Sequence, residues 1–165
     1  DLKDQLSKAK ADLENAQKAQ ESAQSDVNSL KQQVNEAQST LDKAQSAEDA
    51  AQTAYDNLVS ILKRRAELDN IPNDQITQAE LSELSDIRTN HPNLESEVNK
   101  AKDDLDVAKS KNTDANSNKS SLENKLSTAQ TKLDSAGSDV KDAQSKVDSL
   151  NSQINDYQSQ LDDLD

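Results

Sequence analysis

Residues 13–44 read LENAQKAQESAQSDVNSLKQQVNEAQSTLDKA, and within them Leu13, Ala16, Gln20, Ala23, Val27, Leu30, Val34, Ala37, Leu41 and Ala44 recur at alternating steps of three and four. That alternation is the heptad spacing that keeps one side of an α-helix against a partner helix. The same steps continue outward through Leu2, Leu6 and Ala9, and through Glu48, Ala51, Tyr55, Leu58 and Leu62, with only Gln20 and Glu48 polar. A second run begins at Leu94, Val98, Ala101 and Leu105 and ends at Ile154, Tyr157, Leu161 and Leu164, interrupted only by Asn112 and Lys119. A period of 3.5 residues held over roughly nine heptads demands left-handed supercoiling, because a straight helix drifts off such a seam.

Composition agrees with the spacing. Aromatic residues are 1% of the chain and there is no Phe, Trp, Met or Cys, so a globular core cannot be assembled from what remains. One Gly and two Pro leave long helices uninterrupted. Low hydropathy with a net charge of −13 is also the signature of disorder, but a disordered chain has no reason to hold a seam in phase.

The sizes of the seam residues decide how the two runs pair. In both, Ala gathers at d and the larger Leu, Val and Tyr at a. In an antiparallel pair a faces d, so folding the chain near residue 78 opposes residues whose numbers total 156. Leu13 then meets Ala143, Ala16 meets Val140, Val27 meets Ala129, Leu41 meets Ala115 and Tyr55 meets Ala101. Large faces small and the seam keeps an even thickness. A parallel homodimer stacks Ala on Ala at 9, 16, 23, 37, 44 and 51, which buries little. The reading is therefore all-α: a long intramolecular antiparallel two-helix coiled-coil hairpin, monomeric in this segment, with a short helical tip. Its parts are a first arm over residues 1–66, a tip over 67–93 and a second arm over 94–165. Arms of ~60 to 70 residues imply a rod roughly 90 to 105 Å long. In this register Tyr157, Leu161 and Leu164 lack partners, which suggests a segment of a longer chain.

The tip differs from its flanks. Pro72 and Pro92 stop helices, and Asp69-Asn70-Ile71-Pro72-Asn73-Asp74 and Thr89-Asn90-His91-Pro92-Asn93 are rich in turn formers. Between them Thr77-Gln78-Ala79-Glu80 has capping-box form ahead of Leu81, Leu84 and Ile87, predicting a third helix over about residues 75–88 whose apolar side chains seal a small cluster with Ile71 and Ile76. Every Arg of the chain lies in or beside this segment: Arg64, Arg65 and Arg88, with Lys63 and the only His, His91. Guanidinium makes bidentate contacts that ammonium cannot. These five residues either brace the turn, the arginines against Glu67, Asp69, Glu83 or Asp86, or form a surface for a protein partner.

Signals for chemistry are nearly absent. Without Cys neither a Cys/His zinc site nor a Cys-His nucleophile can be built, and the single His, His91, stands next to Pro92 and reads as a turn or cap residue. Residues 69–80 have the length of a calcium loop, yet Ile71 takes its third position and Asp74 stands where Gly is required. No catalytic residue, cofactor or metal ligand is expected, and the chain does not read as an enzyme. The first arm (residues 1–62) carries 11 acidic and 6 basic residues and the second (94–165) 15 and 9, which argues against nucleic acid and against an anionic membrane face. Glu48, Asn112 and Lys119, at seam positions beside Ala layers, are expected to reach water along their stems and to fix register.

Some segments recur. Leu-Asp-x-Ala stands at 41–44 and 133–136, Ala-Gln-Ser begins at 23, 37, 44 and 143, and Val-x-Ser-Leu begins at 27 and 147. These arms resemble the Ala/Gln/Ser/Asp/Lys-rich helical regions of Gram-positive wall-anchored surface proteins, and are similar to the coiled-coil stalks of streptococcal, enterococcal and lactobacillar adhesins and of surface-exclusion proteins. The resemblance implies an extracellular, cell-wall-anchored stalk that spaces a domain from the wall or presents its tip to a host or bacterial protein. The other class left open is a cytoplasmic coiled-coil scaffold that recruits partner helices.

Overall fold

The structure is a computed structural model that describes residues 1–164. Three helices make up the described chain: α1 (Leu2–Asp69), α2 (Gln78–Asn90) and α3 (Leu94–Leu164). α1 and α3 pack against each other as the antiparallel coiled-coil hairpin that the seam demands, and α2 is the short helix between them. Every seam residue from Leu2 to Leu62 and from Leu94 to Ile154 is shielded at least in part, and the residues flanking them are overwhelmingly exposed. Tyr157, Leu161 and Leu164 are exposed, as the register requires when nothing faces them.

The chain divides into two compact units, one formed by Asp1–Glu36 with the stretch that starts at Ser120, the other by Ala37–Lys119. In the first, Ala9, Val147 and Leu150 form a buried cluster against which Leu2, Leu6 and Leu13 pack. Ala9 with Val147, and Leu6 with Leu150, are the partners that a total of 156 assigns. Gly137 lies beside the seam in the same unit. A methyl group there would sit 3.5 Å from Gln20 Nε2, an ordinary contact.

In the second unit Ala37, Leu41, Ala101, Leu105 and Ala115 are buried along the seam. Here the polar seam residues depart from expectation. Instead of both reaching for water, Asn112 donates its side-chain amide to the Glu48 carboxylate across the seam. The layers pair Glu48 with Ala108 and Ala44 with Asn112, so the bond runs diagonally between adjacent layers. A methyl group opposite each polar residue leaves the room for it.

What holds such polar helices in helical form is partly local. Gln38 donates to Asp42, Gln52 to Asp56 and Gln144 to Asp148, and Lys8–Asp12, Glu14–Lys18 and Lys100–Asp104 are ion pairs one turn apart. Each such pair is worth about 0.2–0.5 kcal/mol. In two of the Ala-Gln-Ser repeats, at 37 and 143, Ala enters the seam while the following Gln reaches the Asp one turn on.

Candidate functional site

The tip is built from α2 and the two turns that flank it. α1 runs to Asp69, three residues past the expected arm, because the amide of Asn70 still reaches Ala66 O at 3.2 Å. After Pro72 the amides of Gln75 and Ile76 both bond to Pro72 O, at 2.9 and 3.0 Å, which makes a turn of residues expected to begin the next helix. α2 therefore starts later, at Gln78. Thr77 is its N-cap: Thr77 Oγ1 accepts from the Glu80 amide at 3.1 Å, and Glu80 Oε1 accepts from the Thr77 amide at 3.0 Å. This is the reciprocal capping box that the sequence calls for. These bonds from Thr77, the backbone one foremost, hold the Glu80 carboxyl below its usual range.

The helix ends at Asn90, two residues beyond expectation. His91 precedes Pro92, where helical backbone is disfavoured, and takes φ −133° and ψ 67° while its amide bonds to Ile87 O at 2.8 Å. α3 then starts at Leu94, with Asn93 O accepting from the Glu97 amide at 3.0 Å.

Leu84 is the buried residue of α2, and Glu80, Glu83 and Ile87 beside it are half-buried. Leu81, expected in the sealing cluster, is 44% exposed, because it lies around the helix from that face, toward Ser85 and Arg88. Ile71 and Ile76 are half-buried. The deepest side chains of this unit are Leu68 and Leu94, at 1% and 0% exposure. Leu94 belongs to the heptad run. Leu68 falls off it and is buried all the same.

Four of the five basic candidates are engaged by carboxylates of the chain itself. Arg64 grips Glu83 with two bonds, Nε to Oε1 at 2.8 Å and Nη2 to Oε2 at 2.9 Å, and reaches Glu67 at 3.2 Å through Nη1. This fork matches carboxylate geometry in a way that lysine cannot. Donation to Glu83 chiefly, then to Glu67, pushes the Arg64 guanidinium well above its ordinary value, and the bond accepted from Arg64 holds the Glu83 carboxyl below its own. Arg88 donates to Asp69 at 2.5 Å, and Arg65 donates to Glu95. His91 Nδ1 lies 3.0 Å from Glu97 Oε2; a carboxylate only accepts, so this nitrogen carries the proton. Lys63 is exposed.

These pairs tie α2 to α1 through Arg64–Glu83 and Arg88–Asp69, and α1 to α3 through Arg65–Glu95. Glu67, Asp69 and Glu83 are among the bracing partners that composition suggests. Asp86 is not used. Glu95 and Glu97 were not foreseeable from spacing, since they face the tip only once Pro92 has turned the chain.

An open groove of about 580 Å³ runs between α1 and α2, with Ile61 and Arg64 on one wall and Glu83, Asp86 and Ile87 on the other. Among the described residues no three or more His, Cys, Asp or Glu side chains gather as a metal ion would require, and no helix is long and apolar enough to cross a membrane. No protein-family model, curated protein or solved structure matches this chain.

Proposed function

We propose that the chain is a structural stalk or spacer of a Gram-positive cell-wall-anchored adhesin that presents its tip to a protein partner outside the cell. The observation that carries this reading is that each arm is one uninterrupted helix, of 68 and 71 residues, closed at the tip by the chain's own ion pairs. A helix cannot shorten without breaking its backbone hydrogen bonds, so arms of this kind set a distance. The repeated Ala-Gln-Ser and Leu-Asp-x-Ala segments supply the likeness to wall-anchored stalks. The role is geometric and not catalytic, with no cofactor, no nucleic acid and no direct membrane contact. Arg64, Arg65, Arg88 and His91 hold the tip in shape, and Lys63 remains open to a partner.

The test is where the chain resides. Antibodies raised against it are expected to label intact cells of the source bacterium as strongly as permeabilised ones. Labelling only after permeabilisation would remove the adhesin reading and favour a cytoplasmic scaffold that recruits helices along its sides.

A further inference from the structure

The arginines of the tip are spent on its own carboxylates, and this changes which partner the tip suits. Arg64 and Glu83 neutralise each other, as do Arg88 and Asp69. Asp86 makes no hydrogen bond or ion pair among the described residues, and it lines the groove between α1 and α2. The uncompensated charge of that groove is therefore negative.

Its walls are two helix faces. Ser60 and Ile61 come from α1, and Ala79, Ser82, Asp86 and Ile87 from one side of α2, at helical steps. Ser60, Ala79 and Ser82 are small enough for a third helix backbone to come close, while Ile61 and Ile87 offer apolar surface between them. We propose that this groove docks a cationic amphipathic helix of a partner protein, its apolar side chains on Ile61 and Ile87 and a lysine or arginine on Asp86. The proposal rests on the reading of the tip as the displayed, protein-binding end. A second copy is the wrong occupant, because both arms are acidic and would meet Asp86 with like charge. The net charge of −13 favours the same sign of partner at longer range, drawing in cations and repelling acidic surfaces.

Three synthetic peptides test this on the isotope-labelled full chain: an Ala/Leu/Lys amphipathic helix, its Glu-for-Lys counterpart, and a scrambled version of the first. The lysine helix is expected to move amide resonances of residues 60–64 and 79–91 and few others, with binding that weakens as salt is raised. Asp86→Asn should weaken it about two- to fivefold, the loss typical of an exposed ion pair. Ser82→Lys, which fills the groove with the wrong charge, should weaken it by roughly tenfold or more. Both positions are exposed, and unchanged Leu84 and Leu94 resonances verify that the variants are folded. Shifts spread along the acidic arms, equal binding of the scrambled or Glu peptide, or indifference to Asp86→Asn would overturn the proposal. Cell-surface labelling is independent of this titration, so a chain confined inside the cell and a failed groove give different results.

Discussion

Leu94→Ala is the most informative single substitution in this chain. Leu94 is the first residue of α3, fully buried in the unit that contains the tip, and it is one of three side chains shielded almost completely. Removing about three carbons at ~0.8 kcal/mol each costs about 2.4 kcal/mol of transfer free energy. The backbone around it is held by the Asn93–Glu97 and His91–Ile87 bonds, and the neighbouring Glu95 and Glu97 by Arg65 and His91. Collapse into the space is therefore incomplete, and the total should be about 3 kcal/mol. At roughly 2–4 °C per kcal/mol for a chain of this size, Tm should fall by about 6–12 °C. Leu161→Ala is the control: the same chemistry at a residue 63% exposed should cost less than about 0.5 kcal/mol. Urea and thermal unfolding followed by far-UV circular dichroism measure both. Equal losses for the two variants would refute the claim that burial, and not helix propensity, stabilises the hairpin.

Gly137→Ala should stabilise by about 0.5–1 kcal/mol in the same assay, because the backbone there is ordinary helix and the new methyl meets only Gln20 Nε2 at 3.5 Å. Thr77→Ala removes one half of the capping box and should cost about 1 kcal/mol, seen as faster amide exchange confined to the first turns of α2. Acid should loosen α2 before the arms. Glu80 and Glu83 have carboxyls held below their usual value in the folded chain, so their contribution is complete at neutral pH and is lost as pH falls below about 4.5 through those lowered values. Amide shifts of residues 78–90 that move with acidification ahead of those of residues 9, 147 and 150 are the expected pattern; simultaneous change would count against it.

The arms were legible in the sequence because a seam of period 3.5 has only one physical use and Ala opposite Leu or Val permits only one direction of pairing. Even the failure of Tyr157, Leu161 and Leu164 to find cover follows from that register. Less could be read at the tip, where each boundary turns on a local contest. Pro72 O captured the amides of Gln75 and Ile76, which delayed α2 to the Thr77 cap, and Pro92 ended it only at Asn90. Leu81 lies outside the cluster it was expected to seal, because the helical face that α2 buries is centred on Leu84, and the burial of Leu68, off the heptad run, had no signal in the spacing. Arg64, Arg65 and Arg88 were visible as a group, and three of their partners were among those composition offers. That Arg65 would reach Glu95, and that Asn112 would cross to Glu48, required the fold.

Chain reversal is the claim on which the rest depends, and a distance within one molecule tests it most directly. Lys10 and Lys146 are exposed, lie in the same unit and have numbers that total 156. With spin labels on cysteines at these two positions, diluted in unlabelled protein, the account predicts a short separation set by helix axes about 10 Å apart. An unreversed helix would hold the same labels ~200 Å apart, and a distance beyond the reach of the dipolar measurement would contradict the hairpin.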